Sequence, residues 1–313
     1  MKRAFVFPGQ GSQQPGMGRD LAEIFAPARL LFEEVDDALS QHLSRLMFDG
    51  PESDLTLTEN AQPALLAASL AVIRVLEAEA GFDIAKGVAY VAGHSLGEYS
   101  AHAAAGTFSV PDAVRLVKRR GLAMQKAVPV GEGAMAALLG LDIDAAREVA
   151  EGTHGYGVCV VANDNCPGQI VVSGNTGAVE RAVALAAERG ARRSIMLPVS
   201  APFHCPLMAP AAAAMEEALG DVALKAPAVP VVANVTAAPT SDPEEIKDLL
   251  IEQVTRMVRW RETVLLFKAQ EVEEVIEIGS GRVLAGLVRR IDRELPASSV
   301  GAAAEVEELM KRL

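Results

Sequence analysis

A serine framed by glycines, Gly93-His94-Ser95-Leu96-Gly97, is the part of this sequence best suited to do chemistry. It follows an apolar run at 88–92 and precedes a segment of helical character at 98–105, so it reads as strand, sharp turn, helix. A serine on such a turn has a strained backbone, and the residues two before and two after it lie where side chains would collide. Glycine fits both positions. The turn also aims the amide of Leu96, at a helix N-terminus, toward any oxyanion that forms at the serine. The hydroxyl still needs a base to take its proton, and the chain has five histidines. His42 and His154 read as surface residues. His94 adjoins the serine but points elsewhere at the bend, and His102 sits on the following helix. His204 lies in Pro198-Val199-Ser200-Ala201-Pro202-Phe203-His204-Cys205-Pro206, a proline-rich loop where an active-site residue and a structural histidine are equally well accommodated.

The elements that must position these residues follow from hydrophobic periodicity and from glycine and proline punctuation. Residues 4–7 form a buried strand ending at Pro8-Gly9. Helical spacing covers 20–46 and 63–80, with Pro63 in the first turn of the second helix. A strand at 88–92 and helices at 98–105 and 111–126 come next, and Pro129, Gly131 and Gly133 mark a break. Beyond it the pattern is strand 134–141, helix 144–151, strands 158–162 and 169–173 joined by a polar loop, helix 178–189 and strand 193–197. That βαββαβ order is the signature of a ferredoxin-like unit. Residues 129–198 are therefore expected to form a small subdomain inserted into a large, hydrolase-like α/β domain made of 1–128 and 199–313. Strands at 229–235 and 272–278, with helices at 244–255 and 283–291, complete a mostly parallel sheet.

Composition narrows the function. A net charge of -12 argues against nucleic acid, which requires clustered cations on one face. Basic residues gather only at Arg115, Lys118, Arg119 and Arg120, at Arg189, Arg192 and Arg193, and at Arg289, Arg290 and Arg293, all of which suit solvated helix faces or ends. Cys159, Cys166 and Cys205 make neither an even disulfide set nor a metal-ligand spacing. The first apolar run is too short for a signal peptide, and the uncharged stretch at 194–215 is broken by Pro198, Pro202, Pro206 and Pro210. A cytoplasmic protein with no membrane segment is expected. The loop from Gly9 has Gln14 where a G-x-G-x-x-G motif needs its last glycine, and it lacks the Lys-Ser/Thr of a P-loop.

Several further motifs fall in one order: Phe7-Pro8-Gly9-Gln10-Gly11-Ser12-Gln13, Gln62-Pro63-Ala64, the Ser95 turn with Glu98, Arg119-Arg120-Gly121, Asn165-Cys166-Pro167-Gly168-Gln169, the His204 loop, Asn234-Val235 and Gly279-Ser280-Gly281. In this the chain resembles, over nearly its whole length, the malonyl-CoA:acyl carrier protein transacylase family. The resemblance implies Ser95 as nucleophile and His204 as base, with the N–H groups of Gln10 and Leu96 as oxyanion hole. It implies that Arg120 holds the malonyl carboxylate, that the main-chain carbonyl of Gln253 orients His204, and that Gln62 and Phe203 line the pocket. Phe203 leans toward malonyl over methylmalonyl, and Ser280 replaces a proline common in the family's turn. The partners implied are malonyl-CoA and acyl carrier protein, with no metal or other cofactor, and a monomeric enzyme is expected. Because the chain's net charge is itself acidic, the acidic carrier is expected to dock on the local arginine clusters. A serine esterase or thioesterase using the same Ser95 and His204 is the alternative, and a non-catalytic acyl-binding protein a more distant one.

Overall fold

Ala4-Phe5-Val6-Phe7 is apolar at every position, as a strand covered on both faces requires. In the computed structural model, which describes residues 1–313, this run forms β1 (Arg3–Phe7) at the centre of the larger of two sheets. The other strands are β2 (Tyr90–Gly93), β3 (Gly133–Leu139), β4 (Cys159–Cys166), β5 (Gln169–Asn175), β6 (Arg193–Met196), β7 (Val231–Val232), β8 (Pro239–Thr240), β9 (Glu274–Ile278) and β10 (Ala297–Val300). The large sheet has the order β10-β9-β1-β2-β7-β8, and every pair is parallel except β7 with β8. Alternation divides β1 between two cores: Phe5 and Phe7 join the larger, Ala4 and Val6 the one beneath helices Trp260–Ala269 and Val283–Ile291.

The small sheet has the order β4-β5-β3-β6 and is antiparallel throughout. Along β3, Ala136 and Leu138 pack under helices Ile143–Glu151 and Thr176–Glu188, while Met135 and Ala137 turn to the opposite face with Ala162 and Val171. That second face lies over the candidate site described below. One helix, Thr58–Ala80, is long and apolar enough to cross a bilayer, but 83% of its apolar window is buried inside the fold, which makes it a core helix.

Three expectations need correction. Pro63 is not in the first turn: its helix begins at Thr58, because the buried residues Thr58, Asn60 and Gln62 are held by contacts to other elements. The helical zone at 20–46 divides into Arg19–Ile24, Ala26–Leu39 and Leu43–Asp49, broken at extended Phe25 before Pro27 and at left-handed Ser40. The polar loop expected between 162 and 169 is mostly strand, since β4 continues to Cys166 through two register shifts. Its polar residues are absorbed by tertiary partners: the Asp164 carboxylate accepts from Arg261, and the Asp164 N–H donates to the Val258 carbonyl.

Candidate active site

Three neighbouring parallel strands deliver the site at their carboxyl ends, where ligands of open α/β sheets gather. Phe7 and Gly93 are register partners at the ends of β1 and β2, so the Pro8-Gly9-Gln10 and His94-Ser95-Leu96 turns leave the sheet side by side. They can do so only as glycine turns. A Cβ on Gly97 would lie 2.1 Å from the Phe7 carbonyl oxygen, one on Gly93 1.9 Å from the Gly97 backbone, and one on Gly9 2.6 Å from the His94 oxygen. Ser95 itself sits at φ 54° and ψ −108°, a conformation that costs a non-glycine residue roughly 1–3 kcal/mol and persists only where its surroundings enforce it. Asn234, in the loop after β7, supplies that enforcement. Its Oδ1 accepts from the Ser95 N–H at 2.7 Å and its Nδ2 donates to the Gly93 carbonyl at 2.7 Å.

Ser95 Oγ lies 2.7 Å from His204 Nε2, and His204 Nδ1 lies 2.8 Å from the main-chain oxygen of Gln253, at the end of helix Pro243–Gln253. A carbonyl oxygen only accepts, so Nδ1 carries the proton and Nε2 is the free lone pair facing the hydroxyl. Burial, then the nearby Arg120 charge, push the His204 pKa down to about 3, which keeps the imidazole neutral and able to accept a proton throughout the physiological range. His204 also has a positive φ of 59°.

Arg120 comes from helix Val110–Ala127 and is 1% exposed. Its guanidinium donates to Gln62 Oε1 at 2.8 Å, to Gln253 Oε1 at 2.8 Å and to Ser95 Oγ at 3.0 Å, and its Cζ lies 5.5 Å from the Tyr99 ring centroid. None of these acceptors is a carboxylate. The cation is therefore buried without a contacting anion, and burial lowers its pKa.

The site opens into a cavity of about 370 Å³ lined by Gln10, Gln62, Leu96, Met124, Asn165 and Phe203 among others, with Met135 and Val171 of the small sheet as its far wall. All eight residues singled out from the sequence thus lie in or against one place: Gln253 contacts Ser95, His204 and Arg120 from behind, and the rest line the cavity. A roomier hollow, about 600 Å³ near Arg147, His154, Cys159 and Met257, holds no paired nucleophile and base. Among the other histidines, His42 and His154 are exposed, His102 is buried against Phe108, and His94 forms part of the cavity wall with its Nε2 2.8 Å from Asn165 Oδ1. Of the first basic cluster only Arg120 points inward; Arg119 pairs with Glu217, and Arg115 donates to the Ala38 carbonyl. Two residues quoted in motifs but given no role prove central. One is Asn234, and the other is Glu98, whose Oε2 accepts from the Asn234 N–H at 3.1 Å and from Gln253 Nε2 at 2.7 Å. The signal for Glu98 was the helix Leu96–Ala104 around it, in which no other acid or lysine or arginine defines a solvent face.

A hydroxyl aligned on a neutral imidazole and on a helix N-terminus can attack an acyl carbonyl, and the class this fold and site fit is the acyl-transfer enzymes that work through a serine ester. A family model described as the acyl transferase domain matches residues 4–310. The malonyl CoA-acyl carrier protein transacylase of Bacillus subtilis strain 168 is 47% identical over all of this chain and 97% of its own length. An acyl-carrier-protein-S-malonyltransferase from Bartonella henselae superposes with a TM-score of 0.97 at 56% identity, covering 100% of this chain and 99% of that one. A malonyl-transacylase solved in complex with its type II PKS acyl-carrier protein superposes at 0.96 with 42% identity and complete coverage of both chains. The chain belongs to the acyl transferase domain family and, within it, to the malonyl CoA-acyl carrier protein transacylases.

Proposed function

We propose that the protein transfers a malonyl group from coenzyme A to the phosphopantetheine thiol of acyl carrier protein, through an ester on Ser95. The observation that carries this reading is the Ser95 oxygen held at 2.7 Å from His204 Nε2 with the Arg120 guanidinium 3.0 Å away. His204 takes the hydroxyl proton as Oγ attacks the thioester carbonyl. The oxyanion rests on the N–H groups of Gln10 and Leu96, and coenzyme A leaves as a thiol with the proton from His204. The carrier thiol, deprotonated in turn by His204, attacks the ester, and the second tetrahedral intermediate returns Ser95 to its resting state.

Arg120 selects the acyl group. Esterification of Ser95 removes the hydroxyl that now faces Nη2, and Nη1 keeps one hydrogen beyond its bond to Gln62, so the guanidinium can offer a two-pronged fork to the free carboxylate. An acetyl group would leave that buried cation unanswered. Phe203 and Gln62 shape the rest of the pocket.

The same reading extends to the architecture. Residues 129–198 are a ferredoxin-like insert in a hydrolase-like domain of 1–128 and 199–313, supported by the strand order β4-β5-β3-β6 with two helices on one face. The carrier docks on the second and third arginine clusters. In support, Arg290 donates to Gln169 at 2.8 Å, Gly140 packs against Arg192, and the Gly140 N–H donates to the Gly168 carbonyl at 2.9 Å. Both clusters therefore flank the β4–β5 turn, whose strand β4 carries Asn163 and Asn165 into the cavity wall.

Intact mass spectrometry tests the proposal. Brief exposure to malonyl-CoA should add one malonyl group to the enzyme and none to Ser95→Ala, and carrier protein should then discharge it as malonyl-carrier. Release mainly as malonate would favour the esterase or thioesterase instead.

A further inference from the structure

Gln253 contacts Ser95, His204 and Arg120, and the two ends of its side chain do opposite things. Oε1 accepts from Arg120 at 2.8 Å, while Nε2 donates to the Ser95 carbonyl at 2.9 Å and to Glu98 Oε2 at 2.7 Å. A guanidinium has no lone pair to offer, so an amide turned the other way would set N–H against N–H and push Arg120 off its position. The orientation of this one amide therefore decides where the cation lies.

We infer that Glu98 is a positioning residue for malonyl selection, holding the Gln253 amide by its NH2 so that Oε1 faces Arg120 and the guanidinium stays in reach of the donor's carboxylate. The inference rests on the reading of Arg120 as the carboxylate-binding residue. An acid in the first turn of a helix is ordinarily explained by the helix dipole. Glu98 does not fit that explanation, because it is 1% exposed and no cation touches it. Burial raises its pKa to about 7 against the pull of its bonds from Gln253 and Asn234 and of the Arg120 charge. A side chain retained for packing alone would be better served there by an apolar group of the same size. What the carboxylate supplies is one oxygen on which two donors converge, the Gln253 amide and the Asn234 N–H that follows β7. Asn234 in turn holds the Ser95 N–H at 2.7 Å, so the same carboxylate ties the nucleophile's turn to the cation's support.

The test is the ratio of kcat/KM for malonyl-CoA to that for acetyl-CoA in Glu98→Ala, Glu98→Gln, Gln253→Leu and the double variant Glu98→Ala/Gln253→Leu. Gln253→Leu keeps the main-chain carbonyl that serves His204. Glu98→Ala and Gln253→Leu should each lower the ratio about 10- to 100-fold, the range expected for losing a hydrogen bond to a charged group. Glu98→Gln should restore it to within about threefold, because an amide oxygen can accept both bonds. The double variant should lose no more than the worse single one, as expected of two residues acting through one path. Should Glu98→Ala fail to fold by circular dichroism, Glu98→Leu, which fills the same space without an acceptor, takes its place in the comparison with Glu98→Gln. An unchanged ratio in Gln253→Leu, equal loss of malonyl and acetyl transfer in Glu98→Ala, or multiplicative losses in the double variant would each overturn the inference. Arg120→Ala run alongside separates the two claims. If it leaves the preference intact, the reading of Arg120 fails; if it abolishes the preference while the Glu98 and Gln253 variants do not, only the role of Glu98 fails.

Discussion

Removing the Arg120 guanidinium is the most revealing perturbation of this site, because the proposed contacts set the expected size of the effect. In the proposed malonyl ester the fork would give the carboxylate two charge-assisted hydrogen bonds, each worth about 1.5–3 kcal/mol. Their loss in Arg120→Ala, partly offset by water entering the space, should remove about 4 kcal/mol of transition-state binding, or roughly 10³ in kcat/KM for malonyl-CoA. Acetyl-CoA makes no such bonds and no longer faces an unanswered cation, so the malonyl-to-acetyl ratio should fall by about the same 10³. A second readout follows from charge. Burial and then Arg120 hold His204 near 3, so without the guanidinium its pKa rises, burial still keeping it below the ordinary histidine value, and the acid limb of acetyl transfer moves to higher pH. The assay is competition between the two thioesters for a limiting amount of carrier protein, with products resolved by mass, followed by a pH profile of the acetyl reaction. A folded Arg120→Ala enzyme that keeps its preference to within about threefold, well under the tenfold that 1.4 kcal/mol represents, would refute the assignment.

Replacing His204 by alanine should slow acylation of Ser95 by about 10²–10⁴, the usual contribution of a positioned base, as read by quenched-flow mass spectrometry. His102 is buried with Nε2 unpartnered, and burial pushes its pKa down to about 3. A histidine depressed in the fold contributes stability above its unfolded pKa of about 6.5 and loses it as pH falls toward the folded value, about 2 kcal/mol of loss by pH 5. His102→Leu should therefore show a smaller drop in urea midpoint between pH 7 and pH 5 than the parent. Reversing the charges of Arg189, Arg192 and Arg193, or of Arg289, Arg290 and Arg293, should raise KM for carrier protein while sparing transfer to free pantetheine. If neither set changes carrier kinetics, the docking surface lies elsewhere.

How much of this was legible in the sequence depended on how local the cause was. The Ser95 turn could be read because part of its cause is local, Gly93 closing against Gly97 four residues on, although Gly97 itself answers the distant Phe7 carbonyl. The strands of the large sheet were visible where apolar residues are buried on both faces, as throughout β1 and at Val275, Ile276 and Ile278 of β9, but not in β10, where Ala297-Ser298-Ser299-Val300 is strand only because β9 pairs with it. Asn163, Asp164 and Asn165 have the composition of a loop; pairing with β5 makes them the end of a strand, and Arg261, the Val258 carbonyl and His94, all distant in sequence, answer their polar groups. Function was legible at the level of residue identity, through motif order. The geometry was not: nothing in the sequence shows that the amide of Gln253 meets Arg120, or that the carboxylate of Glu98 lies one residue deeper.

That layering explains why a serine, a histidine and no acidic third member suit this chemistry. In a Ser-His-Asp arrangement the carboxylate orients the imidazole and stabilises its charged form. Placed where the main-chain carbonyl of Gln253 now lies, 2.8 Å from His204 Nδ1, a carboxylate would add a negative charge to the buried site in which the Arg120 charge already acts on His204. That charge would partly satisfy the guanidinium and oppose the entry of a second carboxylate. A neutral carbonyl fixes the imidazole tautomer equally well and leaves the guanidinium available. The one nearby acid, Glu98, is held off by the width of an amide, close enough to orient Gln253 yet without a contact to the cation. In the proposed mechanism weaker support for the imidazolium is offset on the other side of the reaction: Arg120 donates to Ser95 Oγ, and a cation there would favour the alkoxide as His204 withdraws the proton.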